Sequence, residues 1–327
     1  MKDNPFCYPI KGLGRPQILL IGNGLEYESH QKSWEELLGQ LAQPGAVAPT
    51  NAICKDIPFP LLYQLITTPL PANAHLSAED LKNQNQHLAC VMRTLKHSTN
   101  RYLDMLPELG ADHIMSTNYS YCMEAAFFPG EDFTKSERRS KRRCYLAKKS
   151  NGKPLAERHY RLHTCYLAES GGRRTGLWHI HGECSEASGI ILSHDRYGRL
   201  LKRIAKICGN QYYMIDEDPC RSRVFTSWPE LFLYGDVYVL GLGLTFNEFD
   251  LWWLIHRKQR ERYSDGKIFF YERKPQNGYE SKHLLMQANG VILCDAGCDD
   301  TISYDSFYCA ALEDIRRRIS ESRKVGT

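Results

Sequence analysis

A chain of 327 residues with 42% hydrophobic and 24% charged residues and a formal charge of +4 has the profile of an ordinary globular protein, long enough to bury a full core. No stretch reaches the roughly 18 to 20 continuous apolar residues of a membrane span, since even "VYVLGLGL" soon runs into Asn247, Glu248 and Asp250. "MKDNPFCYP" lacks the basic-then-apolar order of a secretory signal, so the expectation is a cytoplasmic protein with no membrane partner, built as one principal domain carrying insertions.

The first strong element is "QILLIG", residues 17 to 22, an unbroken apolar run that reads as a strand buried on both faces of a parallel sheet. It ends in the glycine turn Gly22, Asn23, Gly24 and leads to "SWEELLGQLA". There Ser33 and Glu36 form a capping-box pattern ahead of Leu37, Leu38 and Leu41. Proline-punctuated apolar segments run from Ile57 to Leu70, and Ser77 to Met105 has helical periodicity, so residues 57 to 110 read as a helical layer or subdomain. "DHIMSTNYS" gives a strand at 112 to 117, with Asn118 just past its end.

Residues 134 to 176 hold 13 Lys and Arg against 3 Glu, a net of +10 in a chain whose whole charge is +4. Such a field attracts nucleic acid, a phosphorylated small molecule or an acidic partner surface, and the plainer reading is a solvated insertion. Its "KKSNGKP" places Asn-Gly between "RRCYL" and "YRLHTCYL", which predicts an antiparallel hairpin, and the short repeat "CYLA" at 144 and 165 fits two paired strands. No zinc finger, RNA-binding signature or helix-turn-helix accompanies it.

"LWHIHG" is another strand ending at polar chemistry, "GIILS" with "RYGRLLKRIAKIC" reads as strand and helix, and "GDVYVLGLGL" ends in glycines before the helical "EFDLWWLIHRKQRER". "KIFFYE", "GVILCD" and the helical "YDSFYCAALEDIRRRI" close the chain. Six principal strands alternating with helices predict an α/β fold, with a mostly parallel sheet and helices on both faces. The twelve cysteines are scattered, often inside apolar segments like those of Cys208, Cys294 and Cys309, and read as small buried hydrophobes. The close pair Cys294 and Cys298 lacks the partners of a structural zinc site, so no metal site is expected.

Ligands of open parallel sheets bind outside the carboxyl ends of the strands. Four clusters fall at such ends: Gly22, Asn23 and Gly24; Thr117 and Asn118; His181 and Gly182; Gly241, Gly243 and Thr245. The first is a fragment of a dinucleotide fingerprint, with Tyr27 where the third glycine belongs; "GLGLTFNEFD" repeats the arrangement with Thr245, Asn247 and Asp250 near the next helix. Asn118 suits a ribose hydroxyl or an attacking water, or caps a helix. His181 can exchange a proton near neutrality. His179, two residues back along an extended strand, shares its side about 6.6 Å away and reads as support.

In this order the segments "LLIGNGLEYESHQKSWEELLGQL", "IMSTNYSYCMEAAF", "LWHIHGECSEASGIILSHDRYGRLL" and "VYVLGLGLTFNEFDLWWLI" resemble the SIR2-like family, the NAD-consuming relatives of sirtuins widespread in bacterial anti-phage defence. The resemblance implies a Rossmann-like sheet that binds NAD⁺ as substrate, with a mainly helical subdomain closing over it. It implies that Gly22, Asn23 and Gly24 hold the diphosphate, that Asn118 and His181 are catalytic, and that Thr245 and Asp250 belong to the loop around the adenosine half. Thr117, Gly241 and Gly243 complete the expected cofactor contacts. It further implies an oligomer that waits for a defence-system partner or phage-triggered ligand before degrading NAD⁺. Two departures stand out: the asparagine loop commonly reads Asn-Tyr-Asp but here runs Asn118, Tyr119, Ser120, and Glu26 and Tyr27 stand where small residues are usual. The two Cys-x-x-Cys pairs of deacylating sirtuins are missing, so no structural zinc is expected and hydrolysis is favoured over protein deacylation. The rival functions are a deacylase or ADP-ribosyltransferase, a non-catalytic NAD⁺- or ADP-ribose-binding assembly module, and, third, a dehydrogenase.

Overall fold

The computed structural model describes residues 6–9, 14–30, 34–42, 57–67, 78–155, 157, 160–209, 222–261, 264–274, 281–298 and 301–324. Its strands are β1 (Cys7–Pro9), β2 (Gln17–Ile21), β3 (His113–Ser116), β4 (Arg143–Tyr145), β5 (Thr164–Ser170), β6 (Arg173–His179), β7 (Ser222–Val224), β8 (Asp236–Leu240), β9 (Ile268–Tyr271) and β10 (Val291–Cys294). Eight of them form one sheet in the order β10-β9-β8-β2-β3-β6-β5-β4, while β1 and β7 pair separately. Every pairing from β10 to β6 is parallel, and β5 and β4 continue the sheet antiparallel. This is the mixed α/β, Rossmann-like architecture that the apolar runs predict, and each of its six parallel strands lies on a run read as a strand.

β2 shows why the runs are continuous. Successive side chains on a strand point to opposite faces, and here both faces are covered. Ile18 and Leu20 enter a core shared with the helices His194–Gly209, Trp228–Tyr234 and Phe249–Glu261. Leu19 and Ile21 enter the opposite core, shared with Asn23–His30, Trp34–Leu41, Phe59–Thr67, Ala78–Met92 and Tyr304–Lys324. Within residues 57 to 110, Phe59–Thr67 and Ala78–Met92 pack into this second core.

Several expectations are corrected. The helix read over Ser77 to Met105 spans Ala78–Met92, and the chain re-forms only a 3₁₀ turn at Leu103–Glu108. At the start of that turn Asn100 Oδ1 accepts the backbone N–H groups of Tyr102 and Leu103. The apolar spacing persists because Tyr102, Leu103 and Leu106 still enter the same core. "GIILS" is not a strand. Ile190, Ile191 and Leu192 are buried, but they cross the end of β6, where the Ile191 N–H donates to the His181 carbonyl at 2.8 Å. Ser33, Leu70 and Ser77 lie outside the described residues, while Leu37, Leu38 and Leu41 are buried. Cys208 is buried, but Cys294 and Cys309 are only partly so.

The basic segment 134–176 belongs to the main sheet's antiparallel end. It supplies β4, β5 and the start of β6, with Cys144 paired to Cys165 across the antiparallel ladder, so the "CYLA" repeat is a pair of neighbouring strands. The Asn151-Gly152 turn sits in a smaller loop closed by the bridge between Lys148 and Pro154. Much of the charge is spent internally. Arg139 is buried and donates to the Thr134 carbonyl at 2.7 Å, Arg142 pairs with Glu131 at 2.6 Å, and Arg143 and Arg161 both face Glu183.

Candidate functional site

Strand order reverses beside β2: the chain moves from β2 to β3 and β6 on one side, then returns to place β8 on the other. The loops leaving such neighbours diverge and open a crevice at their carboxyl ends. A cavity of about 240 Å³ lies there, lined by Asn23 and Gly24 after β2, Thr117 and Tyr119 after β3, and Gly241, Gly243, Thr245 and Glu248 after β8. Phe59, Ile191 and Tyr197 contribute its apolar wall.

Gly22 does not line this space. A Cβ on it would stand 2.6 Å from the Gly241 carbonyl oxygen, so its role is to let the two glycine loops touch. The Gly22 N–H donates to the Leu240 carbonyl at 3.2 Å and the Gly24 N–H to the Gly241 carbonyl at 2.8 Å. These two amides are committed to the neighbouring loop.

His181 and Asn118 stand directly behind the lining. The β6 backbone turns after His179, with Gly182 at φ +98°, where a Cβ would lie 2.5 Å from the Gly189 carbonyl oxygen. This turn breaks the strand alternation, so the two histidines diverge instead of sharing a side. His179 packs against Tyr121 and Tyr166 in one core and bonds Glu124 through Nε2 at 2.8 Å. His181 packs against Tyr197 and bonds Asp250 through Nε2 at 3.0 Å, with Nδ1 3.7 Å from Glu248. Asp250 is fully buried, so it lies behind the histidine and not on the cavity wall where a cofactor contact would put it.

The loops after β3 and β6 are tied together. The Asn118 carbonyl is held by His179 Nδ1 at 3.1 Å, and the Cys184 N–H donates to the Tyr119 carbonyl at 2.8 Å. The Asn118 N–H donates to Ser116 Oγ at 3.0 Å, whereas its buried Nδ2 makes no aligned hydrogen bond.

Burial depresses the His181 imidazole, but the Asp250 carboxylate and its hydrogen bond, with Glu248 beyond, bring it above its ordinary value. Burial raises the Glu248 carboxyl, only partly offset by His181. Burial likewise opposes a charged His179, yet the Glu124 carboxylate and Glu183 hold it at about 9. An acidic Asp250 on Nε2 selects the tautomer with its proton there and leaves Nδ1, on the Glu248 side, as an acceptor. Donor atoms of His181, Glu248 and Asp250 lie within 4.8 Å of one another, a nitrogen and two oxygens of the kind that divalent cations accept.

Sequence reasoning singled out Asn23, Gly24, Thr117, Gly241, Gly243 and Thr245, and the structure brings all six to one cavity. It passed over Glu248, Tyr119 and Tyr197. The first two sit inside quoted motifs, two residues before Asp250 and one after Asn118, and were within reach; Tyr197 arrives on a distant helix with no local signal.

This fold and site define a Rossmann-like α/β protein with its polar groups gathered at the strand switch. A family model described as a SIR2-like domain matches residues 112–291, and the chain belongs to that family. The activity is accordingly NAD-related, catalytic or binding. The match begins after the first glycine loop, which the pairing of β2 with β3 and β8 places in the same sheet. No curated protein matches the chain. No helix among the described residues is long and apolar enough to cross a membrane.

Proposed function

We propose that the protein is an NAD⁺ glycohydrolase, with Asn118 and His181 as its catalytic residues. The observation that carries this reading is the buried His181–Asp250 pair packed against Tyr197 and Glu248, which line a cavity formed by both glycine loops, with Asn118 between the lining residues Thr117 and Tyr119. Nicotinamide leaves NAD⁺ as a neutral molecule from a cationic ring, so its glycosidic bond breaks without a strong acid. The site must stabilise an oxocarbenium-like ribose and direct a water to the anomeric carbon. In this reading the water oxygen bonds that carbon as the bond to the nicotinamide nitrogen breaks, and the released proton passes to His181 Nδ1. Asn118 orients ribose and water, Asp250 fixes the imidazole, and Asn23, Gly24, Thr117, Gly241, Gly243 and Thr245 surround the dinucleotide. Movement of the Glu248 side chain, which stands between Nδ1 and the cavity, admits the ribose hydroxyls.

The biological setting implied by the resemblance is part of the same proposal: an oligomer in the cytoplasm that depletes NAD⁺ in anti-phage defence once a partner or ligand activates it. Comparison of cellular NAD⁺ with and without the neighbouring genes during infection tests that setting. The chemistry is tested by incubating purified protein with NAD⁺ alone and after addition of cell extract from infected cells. Nicotinamide and ADP-ribose in equal amounts, without any acyl-lysine or protein acceptor, are expected. Release that requires such an acceptor, with modified acceptor as product, would overturn hydrolysis in favour of transfer.

A further inference from the structure

Glu26 is fully buried on the helix Asn23–His30, immediately after the first glycine loop. Its carboxylate accepts the Ser120 hydroxyl, and the Asn118 amide faces the same carboxylate, short of a well-aligned hydrogen bond. Two of the positions at which the chain departs from the usual pattern, Glu26 and Ser120, are thus in direct contact. The Asn118 backbone is already fixed at both its N–H and its carbonyl, so only the side-chain torsions remain to be set.

We propose that Glu26 is a positioning residue for Asn118: its carboxylate draws the Asn118 NH₂ group inward, so that Oδ1 is presented to ribose and water, while Ser120 holds the carboxylate in place. The inference rests on the glycohydrolase reading. An amide has one accepting and one donating end, and a flip would place donors where a hydroxyl or water needs an acceptor. A carboxylate is suited to fixing that choice because it only accepts when ionised. A negative charge close to the reacting ribose also favours the positive charge that develops there.

The groups facing Glu26 are Ser120 and Asn118 from the loop after β3, Cys122 and Glu124 from the helix Cys122–Phe127, and His179 from β6. Burial raises its carboxyl to about 7, against the lowering effect of Ser120, Asn118 and His179, and Glu124 adds to the rise. Glu26 therefore changes charge near neutrality.

Steady-state nicotinamide release by four proteins tests the assignment: wild type, Glu26→Gln, Glu26→Ser, and Glu26→Ser combined with Ser120→Asp. The double variant returns the carboxylate from the other end of the same hydrogen bond. Both single variants are expected to melt cooperatively and to lose kcat by about 10- to 100-fold while KM moves about twofold or less. The double variant is expected to recover about tenfold or more over Glu26→Ser, a gain that a merely space-filling role of Glu26 would not produce. Unchanged kcat in Glu26→Gln, or no recovery in a folded double variant, overturns the assignment. A wild type that binds NAD⁺ but releases no nicotinamide even after addition of extract from infected cells overturns the glycohydrolase reading and this assignment with it, so the wild-type control tells the two failures apart.

Discussion

Asp250 gives up all solvent contact to hold one imidazole. One carboxylate oxygen bonds His181 Nε2, and the other has no hydrogen-bond partner, an arrangement that costs free energy and points to a service other than stability. Asp250→Asn keeps the shape and removes the charge, and its NH₂ group can face Nε2 and force the opposite tautomer. Turnover of NAD⁺ by this variant is expected to fall about 10²- to 10⁴-fold with the fold intact, read as kcat for nicotinamide release. Turnover at the wild-type level would show that Asp250 does not set the imidazole. At this scale the sequence was partly legible. Asn118 and His181 stood out because each follows an apolar run, whereas the partnerships that tune them, Glu26 with Ser120 and Asp250 with His181, join residues 94 and 69 positions apart that no local pattern links.

Among the elements, the short helix Cys122–Phe127 exists to bring Glu124 against His179 at the end of β6, both side chains fully buried or nearly so. The imidazole holds its proton to about 9 in the folded protein against an ordinary 6.5. A raised folded-state pKa contributes stability that is complete below about 6.5 and is lost as pH rises through about 9, roughly 3 kcal/mol in all. The Glu26 carboxyl, raised from 4.5 to about 7, loses its contribution in a lower window, so the two are separable. Urea midpoints measured between pH 6 and 9.5 are expected to fall in the wild type and to be flatter in Glu124→Gln; equal slopes in the two proteins would remove this ion pair from the account.

Elements were legible where burial on both faces demands an unbroken apolar run, as in β2 and β8. They failed where burial comes without a regular element, as at Ile190 to Leu192, or where apolar spacing outlasts the helix, as from Met92 to Leu106.

For the whole molecule, strand order is the decisive fact. The sequence predicts a parallel sheet but not which strand lies beside β2, and that order alone decides which glycine loops meet. The placement of β3 and β8 on either side of β2 brings three of the four clusters to one crevice, with the His181 cluster packed behind its lining. The basic segment changes meaning at the same scale. Read along the chain it is a field for nucleic acid, a phosphorylated molecule or an acidic surface, or else a solvated insertion; folded, it is the sheet's antiparallel edge, with Arg143, Arg161 and Tyr166 enclosing the buried Glu183 two residues beyond His181. It braces the loop that carries His181, on which the proposal depends.

The measurement that reaches the central claim most directly compares NAD⁺ binding and nicotinamide release in the Asn118→Ala and His181→Ala proteins under conditions where the wild type is active. Both variants are expected to bind NAD⁺ within a few-fold of the wild type and to release nicotinamide about 10²-fold more slowly or less. Release at the wild-type rate in either variant would contradict the claim that an amide and an imidazole at this sheet edge perform the cleavage.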